Sequence, residues 1–157
     1  MRCAILTIST GVAHHVREDT SGVLLAQRAE EAGADIETME VVPDDFGLIE
    51  DRLRHYVDEG FALVLTTGGT GLTPDDVTPE ATRMVIQREI PGLAEAMRAE
   101  SRRHTPMGAL SRGLAGVAGG TLIVNFPGSP RAIDEVFGVV APVLGHAVAT
   151  IRGDSRH

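Results

Sequence analysis

Along the chain, short uninterrupted apolar runs alternate with stretches whose apolar side chains recur every three or four residues. Cys3–Ser9 (CAILTIS) is a continuous run closed by Thr10-Gly11 and predicts a buried strand. Val12–Arg17 reads as a loop. Asp19, Thr20 and Ser21 offer caps for a helix reaching Ala32, with Leu24, Leu25, Ala29 and Ala32 on its core face and Gly33 as its stop. Ile36–Val42 is a second strand, ended by Pro43. Phe46, Ile49, Leu53, Tyr56 and Val57 recur at helical spacing as far as Gly60, and Phe61–Thr67 (FALVLTT) is a third strand.

This alternation predicts parallel strands joined by right-handed crossovers. Uninterrupted apolar runs suit strands covered on both faces. Beyond the Gly68–Val77 loop, Pro79 opens a helix expected to run to Glu89. Pro91-Gly92 breaks it, and a second helix continues to Arg103. Leu114–Ala118 and Thr121–Phe126, separated by Gly119-Gly120, predict a hairpin. Pro127–Pro130 is a turn that opens a final helix to Thr150, and Ile151–His157 reads as a frayed tail. With no repeat, linker or low-complexity tract, the expectation is one domain over residues 1–157. Its fold class is α/β: a three-layer α/β/α sandwich with a mostly parallel sheet and a β-hairpin toward the C-terminus.

Composition narrows the picture. A chain of 157 residues can bury roughly two-thirds of its unfolded surface. Apolar residues make up 43% and charged residues 23%, a globular balance. No apolar run reaches the ~20 residues of a membrane span, and MRCAILTIS reads as a strand rather than a leader. The single cysteine, Cys3, lies in that strand, has no partner in the chain, and favours a cytoplasmic location. The formal charge of −8 argues against nucleic acid as a partner. An acidic chain that binds phosphate must use backbone amides, a few local arginines or a cation.

The segment Thr66–Thr78 (TTGGTGLTPDDVT) is where that chemistry concentrates. Three glycines in four positions follow a strand directly, so the backbone can take positive φ and approach a ligand closely. Ligands of open α/β sheets bind beyond the carboxyl ends of the strands. The segment is neither a Walker loop nor a GxGxxG turn. Asp75 and Asp76 follow. A carboxylate beside a phosphate calls for a cation such as Mg²⁺, although Asp76 or Thr78 could instead cap the next helix. Asp44 and Asp45 end the neighbouring strand on the same sheet edge, where they could share the metal or cap the helix at Phe46. Pro127-Gly128-Ser129 ends another strand and starts a helix, an anion-binding position, with Arg131 in the first turn. Ser111-Arg112 could present a hydroxyl and a guanidinium fork to phosphate or be a polar loop. The histidines, including His14-His15, His104 and His146, show no metal-ligand spacing.

Taken in order, these motifs resemble the molybdopterin adenylyltransferases of molybdenum-cofactor biosynthesis, the Mog/MoaB family that includes the gephyrin G domain. The likeness runs through LTIS, DTSG at Asp19–Gly22, VPDD at Val42–Asp45 and TTGGTGLTPDDVTPEAT at Thr66–Thr82. It continues through REIPGLAEAMR at Arg88–Arg98, ALSR at Ala109–Arg112 and TLIVNFPGSPRA at Thr121–Ala132. It implies a trimer, in some members a hexamer, that uses Mg²⁺ and ATP to adenylylate the terminal phosphate of molybdopterin and releases pyrophosphate. The product would pass to a molybdenum-insertion protein. The family's functional aspartates fall on Asp44 and Asp76. Its pterin site falls on Thr67, Gly68, Gly69, Thr70 and Gly71, on Ser111-Arg112, and on Pro127-Gly128-Ser129. Many relatives carry Asp where Thr10 stands and Lys where Arg131 stands. The same likeness leaves two alternatives, a pterin-binding relative without transferase activity and a nucleotide pyrophosphatase of the competence-damage protein type.

Overall fold

The computed structural model describes residues 1–154. The first apolar run becomes β1 (Arg2–Ile8), whose side chains divide by parity. Cys3 and Ile5 face one helical layer, and Ala4, Leu6 and Ile8 face the other. This is the period-two geometry of a strand covered on both sides. β1 pairs in parallel with β2 (Asp35–Val42) and β3 (Leu63–Thr67), and β3 pairs in parallel with β6 (Thr121–Phe126). β5 (Ala115–Ala118) joins β6 antiparallel as the expected hairpin, and a two-residue strand, β4 (Arg88–Glu89), closes the edge. The sheet order is β2-β1-β3-β6-β5-β4.

Helices cover both faces. α2 (Thr20–Glu31), α5 (Pro91–His104) and α6 (Pro130–Ile151) pack Leu25, Ala29, Met97, Ile133, Val140 and Leu144 against one side. α3 (Phe46–Asp58) and α4 (Thr78–Val85) pack Ile49, Leu53, Tyr56, Ala81 and Val85 against the other. The structure is thus the expected α/β/α sandwich.

Four local expectations change. The loop after β1 contains a one-turn helix, α1 (Thr10–Ala13), because the Ser9 hydroxyl accepts the Val12 amide at 3.3 Å. α4 stops at Val85 rather than Glu89. Ile86 turns to extended backbone and its side chain lies across Gly116, while Gln87 and Ile90 donate to carbonyls of Val117 and Ala115. The open edge of β5 captures this segment. Phe46, placed on the core face by spacing, is exposed at the start of α3. The tail through Asp154 is held, since Arg152 donates to Gly60 O at 2.7 Å and Gly120 O at 3.2 Å; residues 155–157 of the expected frayed tail lie outside the described residues. α6, at 22 residues, is also long and apolar enough by length and composition to cross a bilayer, which no apolar run had suggested. In this fold it is a core helix, with Ile133, Val136, Phe137, Val140, Leu144 and Val148 buried against the sheet.

Candidate functional site

The carboxyl ends of β1, β2, β3 and β6 lie on one edge of the sheet, and a cavity of about 420 Å³ opens there. Its floor is the turn after β3. Gly68 has φ +98° and Gly69 φ +67°. A side chain on Gly68 would collide with the carbonyl oxygen of Ile8, so the glycine loop passes directly over the end of β1. Thr78 does not cap α4. It is fully buried, donates its hydroxyl to Gly68 O at 2.9 Å and its amide to Gly69 O at 3.1 Å, and thereby fixes the turn. Thr67 is buried too and donates to Pro127 O at 2.7 Å, tying the turn to the start of α6.

The paired aspartates separate by role. Asp45 caps α3 through the Leu48 amide at 2.9 Å. Asp44 instead lines the cavity, with Oδ2 accepting from the Thr10 amide at 3.1 Å and the Thr10 hydroxyl at 2.9 Å. Asp75 is exposed, whereas Asp76 lines the cavity and holds its own loop through the Thr73 amide at 3.0 Å. Asp76 caps nothing, since the N-cap position of α4 is Val77. Asp44 and Asp76 each keep one carboxylate oxygen without a partner among the described residues. No group of three or more metal-binding side chains occurs among the described residues. Two half-committed carboxylates suit Mg²⁺, which takes its remaining ligands from water and substrate phosphate.

Anion-binding groups face the same space. α2 and α6 both begin at the cavity, through Thr20-Ser21 and Ser129-Pro130. Ser21 donates to Gly128 O at 2.6 Å and joins the two helix starts. The amides of Gly69, Gly128 and Ser129 donate to nothing among the described residues. Bare amides at helix N-termini are favourable partners for phosphate.

Not every expected site residue gathers here. Arg112 does not reach the cavity. Its guanidinium is committed within the protein, to Gly71 O at 2.8 Å, Asp76 O at 2.8 Å and both oxygens of Glu80 at 2.7 and 2.8 Å, and its amide donates to Thr70 O at 2.9 Å. It braces the loop in place of offering a phosphate fork. Thr70 and Gly71 are therefore loop-holding positions. Ser111 and Pro127 line a second depression of about 510 Å³, shared with His104, Met107 and Arg131, while Ser129 lines both. Gly68 and Gly128 approach closely within the first cavity, since a Cβ on Gly128 would fall 3.2 Å from the Cα of Gly68. Arg131 is engaged by Glu135 at 3.1 Å. Reading the sequence missed Thr7, Ser9, Arg17, Asp19 and Thr20 as cavity-lining positions. The available signal was their place just beyond β1, whose carboxyl end lies beside that of β3.

A doubly covered, mainly parallel sheet that brings two aspartates, a glycine turn and two helix N-termini to one cavity defines an α/β protein with its candidate site at the carboxyl ends of the strands. Residues 4–146 match the family described as the probable molybdopterin binding domain, and the chain belongs to that family. It is 44% identical over 152 residues to the molybdenum cofactor synthesis protein cinnamon of Drosophila melanogaster, covering 96% of this chain and 25% of the fly protein. It is 43% identical over 116 residues to the molybdopterin adenylyltransferase of Helicobacter pylori J99, covering 73% of this chain and 66% of that protein. The chain thus spans from a quarter to about two-thirds of the length of these curated relatives. The crystal structure of the molybdopterin biosynthesis enzyme MoaB from Thermus thermophilus superposes with a TM-score of 0.91 at 47% identity, over 97% of this chain and 96% of that one.

Proposed function

We propose that this protein acts in molybdenum-cofactor biosynthesis as a molybdopterin adenylyltransferase, moving AMP from ATP to the terminal phosphate of molybdopterin. The observation that carries the proposal is the meeting of Asp44 and Asp76, from separate strand ends, with the Gly68-Gly69 turn and two helix starts in one cavity. The name of the Helicobacter relative supports the substrates.

In the transfer, an oxygen of the pterin phosphate bonds to the α-phosphorus of ATP. The bond from that phosphorus to the bridging oxygen breaks, and pyrophosphate leaves with the electron pair. A phosphate nucleophile is already ionised near neutral pH, so no residue need remove a proton. Among the described residues the cavity lining contains carboxylates, hydroxyls, amides and one arginine but no histidine, lysine or cysteine. The protein's part is to position the phosphates and offset their charge. Mg²⁺ bound by Asp44 and Asp76 would neutralise charge on the triphosphate. Thr10 and the Thr73 amide orient the two carboxylates. The free amides of Gly69, Gly128 and Ser129 receive phosphate oxygens, and the Ser111 depression, which shares Ser129 with the cavity, suits the pterin.

The assembly is part of the same reading. β2 is an unpaired sheet edge, and Met39 and Val41 on it remain exposed, as does Val23 on α2. An edge of this kind is suited to cover by another copy of the chain; the family resemblance makes the expected assembly a homotrimer, and light scattering measures the mass. For the reaction, purified protein with Mg²⁺, ATP and molybdopterin is expected to form adenylylated pterin and one pyrophosphate per turnover. Asp76→Asn should lose most turnover and still bind pterin. Absence of pyrophosphate from the wild type, or full turnover in the variant, would overturn the assignment.

A further inference from the structure

The cavity that receives a polyphosphate in the reading above is lined by four carboxylates, Glu18, Asp19, Asp44 and Asp76, and by one cationic side chain among the described residues, Arg17. The chain holds no lysine, so every fixed side-chain cation is an arginine. Most of the others are committed: Arg2, Arg28, Arg52, Arg54, Arg83, Arg103, Arg112 and Arg131 each pair with a carboxylate, and Arg98 and Arg152 donate to backbone carbonyls. The guanidinium of Arg17 has no hydrogen-bond or carboxylate partner among the described residues, even though Glu18 is adjacent and Asp19 stands two residues on. Asp19 is engaged elsewhere, accepting from Thr7 at 2.9 Å and from the Gly22 amide at 2.8 Å.

Arg17 is also placed by its surroundings. Its backbone amide donates to Gly11 O at 3.3 Å, which folds the loop back over α1. A Cβ on Gly11 would stand 2.8 Å from Arg17 Nε, 2.9 Å from Nη2 and 3.2 Å from Cζ. The guanidinium therefore rests over Gly11, in space that a side chain at position 11 would crowd. An unpaired planar cation, laid over a glycine at the rim of a cavity rich in free amides, is suited to the oxygens of a diphosphate. The charge balance calls for one: a triphosphate carries about four negative charges near neutral pH, and a single Mg²⁺ offsets two of them.

We infer that Arg17 binds the β- and γ-phosphates of ATP and holds the pyrophosphate as it leaves, and that Gly11 leaves room for its guanidinium in this position. The inference rests on the adenylyltransferase reading for the identity of the ligand and on geometry for the residue. Arg17 is thereby a binding residue for the leaving group, distinct from Asp44 and Asp76, which meet the metal.

The test is calorimetric, on the full chain, with Mg·ATP, inorganic pyrophosphate with Mg²⁺, and AMP as separate probes. Arg17→Ala is expected to weaken Mg·ATP and pyrophosphate about tenfold, the scale of a charge-assisted hydrogen bond, and to leave AMP binding unchanged. Arg17→Lys should recover part of the loss as a point charge. Gly11→Ala, which keeps the arginine but takes its space, should reproduce part of it. The thermal midpoint of each variant shows that the fold is intact. Wild-type affinity for Mg·ATP in Arg17→Ala overturns the inference and leaves the function standing. An equal loss for AMP and for Mg·ATP also overturns it, since AMP has no β- or γ-phosphate. A wild-type protein that binds neither Mg·ATP nor pyrophosphate overturns both readings.

Discussion

Thr10 and Asp44 are joined three times: the Thr10 amide and hydroxyl donate to Asp44 Oδ2 at 3.1 and 2.9 Å, and the Asp44 amide donates to Thr10 Oγ1 at 3.1 Å. The hydroxyl thus serves as donor and acceptor to a single residue, and it fixes which carboxylate oxygen faces the cavity. Thr10→Val keeps the shape and the amide bond but removes both hydroxyl contacts. The variant should need about five- to tenfold more Mg²⁺ for half-maximal pyrophosphate release, the scale of one hydrogen bond to a charged group. At saturating Mg²⁺ its turnover should return close to the wild-type value.

Arg112 gathers Gly71, Asp76 and Glu80 around one guanidinium. Arg112→Ala leaves two loop carbonyls and a carboxylate without their donor, a loss of about 2 kcal/mol after allowance for partial exposure. A drop in Tm of roughly 4–8 °C is expected, with faster amide exchange confined to residues 70–78. Arg112→Lys cannot span three directions and should restore little. Exchange that rises evenly over the whole sheet would show that the arginine is not a local brace.

Gly68 combines φ +98° with a backbone carbonyl where a side chain would begin. Gly68→Ala meets both obstacles and should destabilise by about 2–4 kcal/mol, read as a fall in the urea midpoint. Gly92→Ala, at a position where a Cβ meets nothing within 4 Å, should change the midpoint little.

Burial pushes the Cys3 thiol up from 9.0 to about 12. Above pH 9 the unfolded chain loses this proton while the folded chain keeps it. The stability contributed by the neutral thiol is therefore complete below pH 9 and is lost as the pH rises toward 12. The slope is roughly 1 kcal/mol per pH unit. Tyr56, buried and donating to Glu40 at 2.8 Å, is shifted upward by burial and by that carboxylate, and it adds to the loss above pH 10. Cys3→Ala should flatten the first part of the decline in chemical unfolding measured from pH 8 to 11.

The central strands were legible in the sequence because β1, β3 and β6 are buried on both faces and read as unbroken apolar runs, and because their helical crossovers have clear caps at Asp19 and Asp45. The residues 86–90 were not. Their local pattern continues a helix, and only the bare edge of β5 and the space over Gly116 draw them into a strand. In the site, the aspartates and glycines were visible as motifs, whereas the roles of the arginines were hidden. Glu80 meets Arg112 across 32 positions, and the partnerless state of Arg17 is a property of everything around it. Spacing along a chain cannot show the direction in which a long cationic side chain settles.

The bracing by Arg112 has a thermodynamic corollary. Ser111, beside it, lines one depression, and Asp76, whose carbonyl it grips, lines the other. The two walls are therefore mounted on one strut. Whatever factor an occupant of the Ser111 side imposes on the metal affinity proposed for Asp76, the metal would return to that occupant, because coupling between two binding equilibria is reciprocal. Titrating each in the presence of the other measures the stiffness of that strut.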